Sequence, residues 1–137
     1  MPETDHGSPS ERADVELRLP ADSAFVSVLR TTTAGLAARL DFTMDDIEDL
    51  RIAVGEASAM VLPKADEGSD LRCEFRMSPG RLTISVGVSA DGAPEPDYDS
   101  FAWQVLTTLA SSASLDTSDG RFIVTLTMQA GHLGAVV

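Results

Sequence analysis

Residues 71–88 constrain the fold more than any other stretch. "LRCEFRM" sets Leu71, Cys73, Phe75 and Met77 on one side of an extended chain and Arg72, Glu74 and Arg76 on the other. "SPGR" turns the chain, and "LTISVGV" repeats the alternation, with Leu82, Ile84, Val86 and Val88 apolar and small polar residues between them. Two alternating strands joined by so short a turn make an antiparallel hairpin with one apolar face. That face has to be covered, while the other is free to meet water or a partner. The same period-two pattern recurs in "VELRL", through Val15, Leu17 and Leu19, and in "RFIVTLTM", through Phe122, Val124, Leu126 and Met128.

Helical segments supply the cover. "ADSAFVSVLRTTTAGLAARL" has Asp22 or Ser23 as its N-cap and Phe25, Val28, Leu29, Thr32, Leu36 and Leu40 at three- and four-residue spacing, which predicts a helix of about four or five turns. A second helix starts at Thr43, with Asp46 three residues on and further acids where the helix dipole favours negative charge. Its apolar stripe is Ile47, Leu50, Val54, Ala57 and Val61, and Pro63 marks its end. A third, "SFAWQVLTTLASSA", puts Phe101, Val105 and Leu109 on one ridge. Between hairpin and third helix, Ser89 to Ser100 form a Pro/Gly/Asp-rich loop of about a dozen residues, long enough to be suspected of function.

The order strand, helix, helix, strand, strand, helix, strand predicts an α/β two-layer sandwich, a mainly antiparallel sheet with helices on one face. A chain of 137 residues suits one such domain, expected over 14–130 between a disordered N-terminal tail at 1–13 and a C-terminal tail at 131–137. The polar, acidic start has no basic cluster followed by an apolar run, and no apolar stretch is long enough to span a bilayer, so a cytoplasmic protein without a membrane role is expected. The single cysteine, Cys73, has no companion for a disulfide or metal site and fits a reducing compartment. A formal charge of −12 with ten basic residues opposes a nucleic-acid surface and favours a basic protein partner, although solubility alone explains much acidity. Both histidines, His6 and His132, fall in the tails, so catalysis by histidine is not expected.

"LDFTMDDIEDLRIAVGEAS", Leu40 to Ser58, together with the element order, resembles the bacterial anti-sigma factors of the RsbW and SpoIIAB type. These are serine-protein kinases on the histidine-kinase-like (GHKL) ATPase fold, and the resemblance spans roughly Ala13 to Met128. It implies a helix carrying Glu-x-x-x-Asn, the acid as general base and the Asn holding a magnesium ion on the ATP phosphates. Residues four apart stack on one helix face, so both can reach one phosphate group. Here Glu56 matches the acid, but Met60 stands where the Asn belongs, and a thioether is a poor ligand for a hard cation. No shifted alignment restores the motif, because the chain contains no Asn.

The other nucleotide signatures of the family are eroded too. An Asp-x-Gly-x-Gly motif that would hold the adenine falls on "VSADG", where Val88 replaces the Asp, Ala90 the first Gly, and only Gly92 agrees; sliding the loop offers Asp91. The phosphate-cradling Gly-x-Gly-x before a helix reads Ser100 and Ala102, and a closing Gly-Thr pair reads Gly120-Arg121. The metal set is therefore read as none, and no cofactor is expected; ATP and magnesium enter only with a retained family function.

Each residue has a plainer reading beside the functional one. Glu56 is either the base or a surface glutamate of an acidic helix; Met60, with Ile52, reads as pocket filling or core. Arg30 matches a family arginine that contacts both sigma factor and antagonist, or is a solvated helix arginine. Trp103 is a core anchor or closes the former nucleotide pocket, and Cys73 is packing. The resemblance then implies an anti-sigma factor, a homodimer, that binds an alternative sigma factor and is displaced by an antagonist protein. An active serine kinase using ATP and magnesium, and a nucleotide-sensing module on the same fold, are the alternatives.

Overall fold

A computed structural model of the protein describes residues 12–92 and 94–131; the expected tails fall largely outside that range. The hairpin is the centre of the sheet. β2 (Asp70–Ser78) and β3 (Arg81–Ser89) pair antiparallel with Phe75 opposite Ile84, and the left-handed Gly80, at φ 69°, makes the turn between them. β1 (Val15–Pro20) adds to β2, and β5 (Arg121–Gln129) to β3, both antiparallel. A fifth strand, β4 (Ser112–Asp116), closes the order β1-β2-β3-β5-β4. The sequence reading placed the end of the third helix and a turn there. "SSASLD" has only Ala113 and Leu115 to turn inward, too little apolar bulk to reveal an edge strand.

α2 (Met44–Val61) lies against β3 and β5, and both α1 (Val26–Arg39) and α3 (Phe101–Leu109) pack on α2. Its stripe is as expected: Leu50, Val54, Ala57 and Val61 are fully buried. They share one core with Leu71, Phe75, Ile84, Val86, Val124 and Leu126 from the sheet's inner face. Each such aliphatic side chain removed from water contributes roughly 1.5–3 kcal/mol. Thr43 caps α2 by accepting the Asp46 N–H at 3.1 Å. The Asp46 carboxylate is buried and accepts the Gly131 N–H at 2.7 Å, tying the helix start to the end of the described chain.

α1 departs from the expectation at its start. Asp22 is the N-cap, but of a short 3-10 turn over Ser23–Phe25, and the α-helix begins only at Val26. Val26, Leu29, Thr33 and Ala37 are buried and Leu36 and Leu40 pack against the core, whereas Phe25, in the 3-10 turn, and Val28 are exposed at 37% and 41%. The helix stops where Asp41, at φ 61°, turns the chain and Phe42 N–H donates back to Ala37 O. No helix among the described residues is long and apolar enough to cross a membrane.

Candidate functional site

On α2 a ridge beside the core stripe runs Ile52, Glu56, Met60. Ile52 is 46% exposed, Glu56 is half-buried, and Met60 is half-buried and packed on the hydrophobic core. Met60 thus fills space at the position from which a helix ligand would reach a cation, and offers it no oxygen. No carboxylate, hydroxyl or guanidinium among the described residues makes an ion pair or hydrogen bond with Glu56.

The loop after β3 brings two of the expected positions together. Ala90 N–H donates to Gly120 O at 2.8 Å, and Asp91 N–H to Asp66 Oδ2 at 2.9 Å. Gly120 sits at φ 70°, and a Cβ there would come within 2.8 Å of Asp91 Oδ1, so the Asp91 carboxylate lies directly against Gly120. Val88 and Ala90, standing where the family motif has Asp and Gly, are buried core residues and leave no ligand group facing outward. Gly92 has no neighbour within 4 Å of where a Cβ would stand, so no close backbone approach demands a glycine there.

Ser100 is spent on structure. Its hydroxyl is the N-cap of α3, accepting the Trp103 N–H at 3.1 Å, and its carbonyl accepts the Gln104 N–H. Ala102 is half-buried, and Trp103 packs against the core while meeting Tyr98 edge-on at a ring separation of 5.3 Å. Phe101 beside it is 76% exposed. Among the described residues no hydrogen bond links Ser100 or Ala102 to Glu56 or Asp91, and no group of acids, histidines and cysteines is arranged to hold a metal.

Arg30 is not the solvated helix arginine of the plainer reading. It is half-buried and lies across α2: a Cβ at Gly55 would stand 2.6 Å from its Nη2 and 3.1 Å from its Nε. The guanidinium therefore rests on the bare backbone of α2, one residue before Glu56. Among the described residues no carboxylate lies within ion-pair distance of it. Gly55 went unnoticed in the sequence, although a glycine in mid-helix costs about 1 kcal/mol against alanine and so carried a signal.

The outer face of the sheet is largely polar, and no helix among the described residues covers it. Cross-strand hydroxyl pairs, Thr83 with Thr127 and Ser85 with Thr125 at 3.0 Å each, run down its middle. Arg18, Arg72 and Arg121 line a recess of about 360 Å³ there, but Glu16 and Glu74 line it too. Arg18 pairs with Asp70 at 3.5 Å and Arg76 with Glu74 at 3.3 Å, which leaves this face nearly charge-matched. Asp116 at its edge is held below the usual carboxylate range, first by the Ser118 backbone N–H, then by the Ser118 side chain and the Arg121 charge. On the inner face, burial pushes the Cys73 thiol up to about 12, so it stays neutral packing.

No family model matches the chain. It is 42% identical over 88 residues to the serine-protein kinase RsbW of Halalkalibacterium halodurans, a match covering 64% of this chain and 52% of that one. It is 37% identical over 82 residues to RsbW of Bacillus thuringiensis, covering 56% and 51%. The chain thus spans about half the length of these curated relatives. Among solved structures, that of the RsbU and RsbW domains of Rv1364c from Mycobacterium tuberculosis superposes with a TM-score of 0.64 over 85% of this chain and 32% of that one, at 16% identity. Over the matched span the chain is similar in sequence to the RsbW serine-protein kinases, and its α/β fold is like that of the solved structure that includes an RsbW domain.

Proposed function

We propose that this chain is an anti-sigma factor that sequesters an alternative RNA polymerase sigma factor and is released when an antagonist protein takes the sigma factor's place. The observation that carries the proposal is Met60: the apolar core of the fold is complete, yet the position that should bind magnesium is filled by a core-packed thioether. Phosphoryl transfer rests on metal and phosphate positioning, whereas partner binding needs shape and a few anchoring groups. In this reading Arg30 anchors the partner, the chain works as a homodimer in the cytoplasm, and no cofactor takes part. The test is retention of the host's alternative sigma factors, purified singly, on the immobilised chain. One of them should bind with nucleotide absent, and Arg30→Ala should weaken it by at least about 30-fold, the equivalent of roughly 2 kcal/mol for a lost interfacial charge pair. Retention of none of them would remove the proposal.

The kinase reading draws on the relatives' own designation as serine-protein kinases and on the unpartnered Glu56. It requires transfer of radiolabelled phosphate from ATP to an antagonist, lost in Glu56→Gln. Binding of ATP or ADP without transfer, seen by titration calorimetry, would favour the nucleotide-sensing module instead.

A further inference from the structure

We propose that Gly55 is a positioning residue: by withholding a side chain from α2 it seats the Arg30 guanidinium, unpaired and partly exposed, where a carboxylate of the protein partner can take it. The inference rests on the partner-anchoring role given to Arg30 above. Two observations carry it. First, the space over Gly55 is already occupied, since Nη2, Nε and Cζ of Arg30 stand 2.6, 3.1 and 3.2 Å from the position a Cβ would take. The clash would fall on the far end of a flexible side chain, so a methyl group at residue 55 displaces the guanidinium and leaves the helix pair intact. Second, Arg30 is half-buried yet has no carboxylate at ion-pair distance among the described residues.

Such an arrangement is costly for folding alone. A glycine in the middle of an 18-residue helix weakens it, and a partly desolvated guanidinium gives up water without gaining a counter-charge. Both costs are recovered when a partner's carboxylate closes on the planar fork, whose donors accept two oxygens side by side. The seat also fixes the direction of the fork: an arginine free to rotate would have to be ordered on binding, whereas one laid on the α2 backbone is ordered beforehand. Ile52, 46% exposed on the same helix, provides apolar surface near the anchor's level of α2.

The experiment is a double-mutant cycle on the full chain with Gly55→Ala, Arg30→Ala and the double variant, read in two ways. Thermal unfolding reports the seat itself. With Arg30 present, Gly55→Ala should leave Tm unchanged or lower it; with Arg30→Ala the space is empty and the same change should raise Tm by several degrees, because alanine is the better helix former. An equal rise in both backgrounds would overturn the seat. The second reading is affinity for whichever purified alternative sigma factor the wild-type chain retains. Gly55→Ala should lose at least tenfold, and the double variant should be no worse than Arg30→Ala. Full affinity in Gly55→Ala, with Arg30→Ala impaired, would mean the seat does not position the anchor. Full affinity in Arg30→Ala, with the unfolding cycle still non-additive, would leave the seat standing and remove the role of Arg30 in the proposed function. The Arg30 Nε–Hε resonance, assigned by its loss in Arg30→Ala, should shift in Gly55→Ala; an unmoved resonance also counts against the seat.

Discussion

The two sides of α2 carry different chemistry. Toward the sheet, Leu50, Val54, Ala57 and Val61 are fully enclosed and continue the core of the hairpin without a gap. Away from it, Ile52, Glu56 and Met60 hold one acid, one partly exposed aliphatic and one core-filling thioether, and no group that could complete a metal or phosphate site. The first side is what the fold needs, and the second is what nucleotide chemistry would need. A fold can be kept while the chemistry it carries changes, and the proposed binding work falls instead at the junction of α1 and α2, where Arg30 lies on Gly55.

Breaking the core side should have the largest effect. Phe75→Ala or Leu50→Ala leaves a cavity in a fully buried cluster and should cost about 2–5 kcal/mol in denaturant unfolding. A loss under 1 kcal/mol would mean that the core is looser than described. Removing the cap of the same helix, Thr43→Ala, should cost about 1 kcal/mol, because one N-terminal N–H loses its acceptor. On the other side of α2, Glu56→Gln should change stability by less than about 0.5 kcal/mol, as befits a carboxylate with no ion-pair or hydrogen-bond partner among the described residues.

Met60→Asn sharpens the comparison further. It restores the amide at the family's ligand position, yet it should not create magnesium-dependent ATP binding, since Val88, Ala90, Ser100 and Ala102 still lack the remaining groups. Gain of ATP binding in titration calorimetry would show that Met60 alone separates this chain from a nucleotide binder. The last effect concerns Cys73 and is absent at neutral pH. Its thiol is raised to about 12 from 9.0 by burial, so the folded chain holds a proton that the unfolded chain releases. Stability is unaffected below about pH 9 and falls as pH rises from there toward 12, and a thiol reagent at pH 8 should label Cys73 only on unfolding.

Much of this was legible in the sequence because period-two alternation and turn chemistry are local signals. The hairpin, β1, β5, the stripe of α2 and its Thr43 cap all follow from residues close together in the chain. β4 was hidden because an edge strand of serines and one leucine needs its partner β5 to exist. On α1, Leu29, Leu36 and Leu40 face the core as their spacing predicts, but Phe25 and Val28 do not, because the chain makes a 3-10 turn over Ser23–Phe25 before the α-helix begins. The candidate site was legible only as departures from a motif: Met60 for Asn, Val88 for Asp. Its most specific contact, Arg30 on Gly55, joins residues 25 positions apart on different helices, and no local pattern records it.

The central claim is that partner binding on this scaffold does not need nucleotide. It is tested most directly by the affinity of the purified chain for the alternative sigma factor it is proposed to bind, measured with and without ATP and magnesium. The account requires tight binding that is the same in both conditions. Binding that appears, or strengthens tenfold or more, only when ATP and magnesium are added would contradict it.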